Sequence, residues 1–393
     1  MTYPPMNVLS LMSGTSCDGI DAVLARLELT AAGLRWAVLA RASHDYPPPL
    51  RERLLRALNP ASSDVLLLTQ LHAEVGQTYS ALAGELCDSY PVDLVALSGQ
   101  TVYHIPRLEP ERGWLIKSTL QLGEAAYVVE RCGLPVMCDF RQSDLAAGGE
   151  GAPMVAFGDL ALYHQPGVAR AVQNLGGIAN LTYLPTDGDP AGVLAFDTGP
   201  ANCLIDEAAA RYFGLPYDAG GKLAAQGRVD TARLEALLQH PYLKLPPPKT
   251  TGREVFSLDA LEPQVSFTGL RGEDVLATLT VFTAASIAAA YQAHLLPLGL
   301  DEVLVAGGGA LNPTLIRELR ARLPVPVTTF EERGWVSKDR EALAFAVMAY
   351  YAGYGLANTL PQATGAKHPV VAGKRLVPAL RYPQAGSALN CNS

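Results

Sequence analysis

Two apolar runs, residues 8–12 and 22–29, are joined by the segment Met12-Ser-Gly-Thr-Ser-Cys-Asp-Gly-Ile-Asp21. Both runs read as strands, so the linker must turn the chain back on itself, and Gly14 and Gly19 supply the freedom to do so. Thr15, Ser16 and Cys17 lie between the two glycines, and Asp18, Ile20 and Asp21 lie at the exit. Such a turn aims backbone N–H groups and hydroxyls into one concavity, which suits phosphate oxygens. It differs from the strand-to-helix loop that carries Gly-Lys-Ser/Thr, a sequence found nowhere in the chain. A plain hairpin would satisfy the same residues, so the turn gains meaning from its recurrence.

Glycine recurs beside a polar residue at most points where a short apolar run stops. Residues 94–97 end at Ser98-Gly-Gln-Thr101, and residues 134–138 end at Asp139-Phe-Arg141. Residues 169–173 and 181–184 flank Asn174-Leu-Gly-Gly-Ile-Ala-Asn180, a second strand–glycine turn–strand unit. Residues 193–196 stop at Asp197-Thr-Gly-Pro-Ala-Asn202, and residues 302–306 stop at Gly307-Gly-Gly-Ala-Leu-Asn-Pro313. Helical spacing covers residues 50–57, 65–86, 275–296 and 338–354, and a further helix runs from Asn202 to about Phe213. Strands of mixed sense interleaved with helices define an α/β class. One glycine hairpin in each half points to two related domains facing each other. Ligands of open α/β sheets sit at strand ends, so the set as a whole points to a nucleotide-binding cleft.

A chain of 393 residues is long enough for two domains, each with a sizeable core. The net charge of -8 argues against a nucleic-acid or anionic-membrane surface. Anionic ligands must therefore be met locally, by backbone N–H groups, a metal ion or a few Lys and Arg. The six cysteines, Cys391 among them, form no CxxC, and the seven histidines make no HxxxH pair, so the thiols are expected to be reduced and no zinc site is expected. No basic segment followed by an apolar run opens the sequence, and the most apolar helix contains Thr, Ser, Gln and His. A cytoplasmic protein with neither signal peptide nor membrane span is expected.

Among the polar residues Asp197 is the sharpest candidate for chemistry, because a carboxylate at a rigid strand end can accept a proton in a cleft. A helix cap is its alternative role, although Asn202 is better placed to cap the following helix. Asp18 and Asp21 either reach a Mg²⁺ ion or serve turn chemistry. Asp139 and Asp144, on either side of Arg141, either bind sugar hydroxyls or form a local ion pair. Lys249 and Arg253 flank a glycine in a proline-led loop and read as a substrate clamp, a lid or a solvated loop. Glu341 opens an apolar helix, where a carboxylate complements the helix dipole.

Taken in order, these segments resemble the anhydro-N-acetylmuramic acid kinases, a sugar-kinase branch of the actin, hexokinase and heat-shock ATPase superfamily. The resemblance runs from Leu9 to about Gly365 and rests on the motifs at 12–21, 99–104, 119–123, 139–144, 148–153, 174–180, 196–202, 249–254, 307–313 and 341–346. It implies two RNase H-like domains around an ATP cleft, here residues 1–125 with 340–393 and residues 126–339. It also implies that ATP phosphorylates the 6-oxygen of 1,6-anhydro-N-acetylmuramate while water opens the anhydro bridge at C1, in cell-wall recycling. Residue by residue, the ATP loop maps to Gly14, Thr15, Ser16, Cys17, Asp18, Gly19, Ile20 and Asp21. The second glycine turn and the nucleoside side map to Asn174, Gly176, Gly177, Gly307, Gly308, Gly309 and Asn312. The base maps to Asp197 with Glu341 as supporting carboxylate. The sugar maps to Gln100, Thr101, Gln121, Asp139, Arg141, Asp144 and Lys249. Mg²⁺ is expected to arrive on ATP, and a homodimer is left open.

Four positions depart from the family pattern: Ser98 stands for a usual His, Glu124 for Asp, Glu150 for Gln and Ala201 for Gly. Glu124 and Glu150 are expected to alter charge or reach near the sugar. The competing readings are a kinase of another sugar or acid without ring opening, and an ATP-driven conformational protein. The second would require a peptide-binding domain or polymerisation surface, of which the sequence shows no separate segment.

Overall fold

The computed structural model describes residues 3–379, so Cys391 lies outside the described residues. The first sheet is built from β1 (Met6–Met12), β2 (Gly19–Thr30), β3 (Gly33–Asp45) and β4 (Leu94–Leu97). A two-stranded arm follows, β5 (Gln100–Ile105) with β6 (Ser118–Leu122), and then β7 (Val136–Cys138). The second sheet holds β8 (Arg170–Leu175), β9 (Ile178–Leu184), β10 (Leu194–Pro200), β11 (Glu302–Ala306) and β12 (Val327–Thr329). A last strand, β13 (Lys374–Leu376), returns to the edge of the first sheet.

Strand order gives the architecture. The first sheet runs β13-β7-β4-β1-β2-β3 and the second runs β10-β9-β8-β11-β12. In each, three antiparallel strands are followed by two parallel to the first: β4 and β7 beside β1, β11 and β12 beside β8. The same 3-2-1-4-5 order thus occurs twice, which confirms two RNase H-like halves. The first half extends past residue 125, because β7 lies in its sheet and the Ala126–Cys132 helix packs on the Val65–Ser89 helix.

Each half has its own core. Leu9, Leu24, Leu54, Leu71 and Tyr79 pack beneath the Pro48–Ala57 and Val65–Ser89 helices. Ala171, Leu181, Val305 and Leu315 pack with Ile287 and Tyr291 of the Gly272–His294 helix. That helix belongs to a segment, Gly272–Leu298, long and apolar enough to span a membrane, but its most apolar stretch is 78% buried inside the molecule. A third cluster joins the halves: Val8 and Ala96 of the first sheet and Val172 and Leu304 of the second pack with Phe345, Val347 and Met348 of the Asp339–Gly353 helix. This helix also meets the Val155–Tyr163 helix so closely that a Cβ on Gly158 would lie 2.4 Å from that of Ala344. Only glycine permits that approach.

One strand was missed and two local expectations are corrected. β3 pairs with β2 along nearly its whole length and alternates half-buried with exposed residues, as an edge strand does, whereas residues 33–45 carried no assignment from sequence. β10 does not stop at residue 196 but continues to Pro200, with a register break between Asp197 and Gly199. Asn202 does not cap the next helix; its side-chain amide donates to the carbonyls of Leu175 and Gly176 at 2.9 and 2.8 Å, tying that helix to the second glycine turn.

Candidate active site

The two glycine turns are built differently. Between β1 and β2 the chain makes a broad loop, closed by Cys17 N–H to Gly14 O at 3.2 Å, with Cys17 in the left-handed region at φ 51°. Its base is fixed from below. Ser98 Oγ accepts from Ser13 N–H at 3.1 Å, Ser13 Oγ meets the hydroxyls of Tyr46 and Tyr79, and Gln100 Nε2 donates to Gly14 O at 2.9 Å. Thr15 and Ser16 are left exposed at the tip, and Ser16 Oγ donates to Asp18 at 2.9 Å. Cys17 and Ile20 turn their side chains into the core, so both can face a ligand only through their backbone. Gly19 is required sterically, since a Cβ there would fall 2.2 Å from His44 O.

The second turn is the two-residue hairpin Gly176-Gly177 between β8 and β9. Its carbonyls are held by the N–H groups of Ala201, Asn202 and Cys203 at 3.0 Å. Ala201 is completely buried there. Gly307 (φ 89°) lies against Asn174 and Leu175, and Gly309 against Leu175 and Asn202, both too closely for a Cβ, while nothing stands within 4 Å of one on Gly308. Gly308 and Asn312 line a cavity of about 460 Å³ with Asn202, Asp206, Tyr217 and Gly220. Asn312 also caps the Pro313–Arg320 helix through Leu315 N–H at 3.1 Å. Asp206 stands there with its carboxyl pushed up to about 6 by burial, against the pull of Arg253. Asp206, Tyr217 and Gly220 were not foreseen, because they are brought to the cavity by a helix face and a loop without repeated pattern.

A second cavity, about 340 Å³, is lined by both halves: His104, Arg107, Glu150 and Glu341 on one side and Asn180, Thr182, Asp197 and Lys249 on another. The β10 register break presents Asp197 to it. Asp197 Oδ2 accepts the Thr251 N–H at 2.9 Å, its N–H donates to Lys249 O at 3.0 Å, and Tyr242 OH donates to its carbonyl at 2.8 Å. Burial raises the Asp197 carboxyl to about 6, although the Thr251 N–H and the Lys249 charge both favour the carboxylate. Lys249 is itself nearly buried, its Nζ reaching the carbonyls of Tyr242 and Leu243 at 3.4 and 3.3 Å; burial lowers its pKa and Asp197 opposes that fall.

From the arm, His104, Pro106 and Arg107 reach the cavity, and the residues behind them form a hydrogen-bonded set. Gln121 Nε2 donates to Thr101 and Thr119 at 3.1 and 2.8 Å, and Thr119 Oγ1 meets His104 Nδ1 at 3.0 Å. Gln100 Oε1, Gln121 Oε1 and His104 Nε2 remain buried without partners, as does Thr251 Oγ1 beside Asp197. Such atoms are costly unless a ligand or water completes them. Burial, then Arg141, keeps the His104 imidazole below its ordinary pKa and thus mainly neutral at pH 7.

Of the expected sugar contacts only Lys249 lines this cavity; Gln100, Thr101 and Gln121 of the arm are not in its lining, and three others sit elsewhere. Asp144 is fully buried, with its oxygens on Gly151 N–H at 2.8 Å and Thr364 Oγ1 at 2.7 Å. Arg141 stands behind the wall and donates to Gly151 O at 2.7 Å, so the pair shapes the 148–153 loop rather than reaching across the cavity. Asp139 pairs with Lys374 at 2.9 Å, away from the cavity. Glu124 likewise lies off the cavity, on His72 at 3.2 Å, whereas Glu150 lines it. Asp21 is taken by Ser43 and Lys338 at 2.7 and 2.6 Å, which leaves Asp18 as the more available carboxylate of the first turn. Among the described residues no three His, Cys, Asp or Glu side chains converge as a metal cage.

A duplicated 3-2-1-4-5 sheet with a glycine turn in each half and a cavity lined by residues of both halves is the architecture of the actin- and hexokinase-type proteins. The family model of anhydro-N-acetylmuramic acid kinase matches residues 6–378. Curated proteins of that name are similar over nearly their whole length. The one from Salinibacter ruber is 42% identical, covering 94% of this chain and 96% of its own. The one from Caldanaerobacter subterraneus subsp. tengcongensis is 38% identical, covering 93% and 96%. One from Bacillus cereus is 37% identical, covering 95% and 100%. The chain belongs to the anhydro-N-acetylmuramic acid kinase family and is an enzyme, a kinase.

Proposed function

We propose that the chain transfers the γ-phosphoryl group of ATP to O6 of 1,6-anhydro-N-acetylmuramate while water opens the anhydro bridge. The observation that carries this reading is Asp197, a buried carboxylate with a raised pKa on the wall of a cavity lined by both halves. In the balanced step, water attacks C1 and gives a proton to Asp197, and the C1–O6 bond breaks. O6 takes the phosphoryl group as the terminal P–O bond of ATP breaks, and ADP leaves. The products are N-acetylmuramate 6-phosphate and ADP, and the enzyme then returns the proton to solvent. Such a product suits the reuse of cell-wall sugar in the cytoplasm, where ATP is at hand.

The roles follow from the contacts. The N–H groups of the Gly14–Asp21 turn and of Gly176-Gly177 receive phosphate oxygens, and the larger cavity beside Gly308 receives the nucleoside. Asp18 would be the carboxylate of the first turn available to a Mg²⁺ ion carried on the nucleotide, which would supply neutralisation of phosphate charge. Thr251 N–H orients Asp197, and Lys249 keeps it ionised. The unpartnered atoms of Gln100, Gln121 and His104 supply hydrogen bonds that a sugar can satisfy. Glu341, on the facing helix, holds the sugar against Asp197.

Turnover in ¹⁸O-labelled water tests the reading. The expected result is early label at C1 of the sugar, above an unlabelled-product exchange control, with none in the transferred phosphoryl group. Phosphorylated sugar without early C1 label indicates a kinase that does not open the ring, and label in free phosphate indicates an ATPase.

A further inference from the structure

The proposed substrate is an acid: its lactyl ether ends in a carboxylate. Three cations line the cavity, and two of them are committed. Arg340 is buried in a two-point pair with Asp159, and Lys249 is buried against Asp197 and two carbonyls. Arg107 is different. It sits on the arm at the rim, its side chain 55% exposed, and one contact holds it: Nε to Glu150 Oε1 at 3.0 Å. A guanidinium held through Nε keeps its two terminal nitrogens free for a carboxylate, which it can take with paired N–H donors.

Glu150 belongs to the 148–153 loop. That loop is fixed to the arm a second time by Lys117, whose Nζ reaches Gly148 O at 2.7 Å and Gly149 O at 3.1 Å. Its backbone is anchored below by Glu150 N–H to Thr364 O at 2.7 Å and by Asp144. The glutamate is therefore a fixed negative charge beside a movable positive one. We infer that Arg107 is the anchor for the sugar's carboxylate and that Glu150 tunes the selectivity, holding the guanidinium at the rim while competing with the incoming acid for it. The inference rests on the function proposed above. Glutamine at 150 would keep an oxygen for Arg107 Nε and remove the competing charge.

Calorimetric binding of two probes in the presence of a non-hydrolysable ATP analogue tests this. The probes are 1,6-anhydro-N-acetylmuramate and the same sugar with its carboxyl converted to the amide. The quantity read is the ratio of their dissociation constants, so a general loss of affinity cancels. Arg107→Gln is expected to reduce the preference for the acid roughly tenfold, and Glu150→Gln to increase it several-fold. Both positions face solvent in part, and an unchanged melting temperature confirms the fold of each variant. Equal weakening of acid and amide in Arg107→Gln, or an unchanged ratio in Glu150→Gln, overturns the inference while leaving the kinase reading intact. A wild-type enzyme that binds neither sugar overturns both.

Discussion

Asp197 is subject to opposed influences: burial favours its neutral form, while the Thr251 N–H and the Lys249 ammonium favour its charged form. Burial wins, and the group titrates near 6. Only the carboxylate can accept a proton, so kcat should fall as pH drops through about 6, well above the range of an ordinary aspartate. A pH–rate profile checks this, and a limb near pH 4 would contradict it. Lys249→Met removes a charge that holds the pKa down, so the limb should move to higher pH. Asp197→Asn should bind ATP and sugar yet lose on the order of 10²–10⁴ in kcat, and retention of a tenth of wild-type turnover would remove Asp197 from the role of base. Sequence exposed this residue through its place between an apolar run and Thr-Gly-Pro. It could not expose Tyr242 or Thr251, which reach Asp197 only through the path of the 240–251 loop.

Turns and strands were legible to different depths. Both glycine turns could be read from glycines set between two apolar runs, although only Gly19 is required sterically, a Cβ there falling 2.2 Å from His44 O, whereas one on Gly176 or Gly177 would meet nothing closer than 3.5 Å. The edge strand β3 could not, because its alternation is carried by Leu34, Trp36, Val38, Ala40 and Ala42 among arginines and other alanines, a weak contrast for a face that is only half-buried. The β10 break was invisible because nothing in Asp-Thr-Gly says whether a strand ends or bulges. The cavity beside Gly308 was half seen, through its glycine and Asn312 but not through Tyr217 or Asp206. This division yields a paired prediction. Gly309→Ala should destabilise the fold, because Leu175 and Asn202 leave no room. Gly308→Ala meets open space and should melt as the wild type does, yet raise the KM for ATP by projecting a methyl group into the cavity. Thermal melts with nucleotide kinetics separate the two, and matching behaviour of both variants would contradict the assignment. Thr15→Val, at the tip of the first turn, should raise the barrier to ATP use by about 1.5–3 kcal/mol, the value of a hydrogen bond to a charged group, read as kcat/KM for ATP.

At the scale of the molecule, one helix joins the halves. Arg340, in the first turn of Asp339–Gly353, donates to both oxygens of Asp159 in the Val155–Tyr163 helix, and Thr182 of β9 donates to the same carboxylate at 2.6 Å. Both ions are essentially excluded from solvent. Arg340→Met would strand the Asp159 charge, at a cost of about 3–5 kcal/mol. Urea unfolding measures it, and a loss below about 1 kcal/mol would show that the pair is not needed to hold the halves together. The next residue along is Glu341, which lines the cavity shared by the two halves. Three residues further, Ala344 meets Gly158 with no room for a methyl group between them. A seam this thin has no slack. A turn of one lobe about it would therefore be felt within roughly one turn of helix, at Glu341. On the function proposed above, lobe angle and the shape of the wall that carries Glu341 would then change together, so that any closing of the cleft would also be a tightening of that wall.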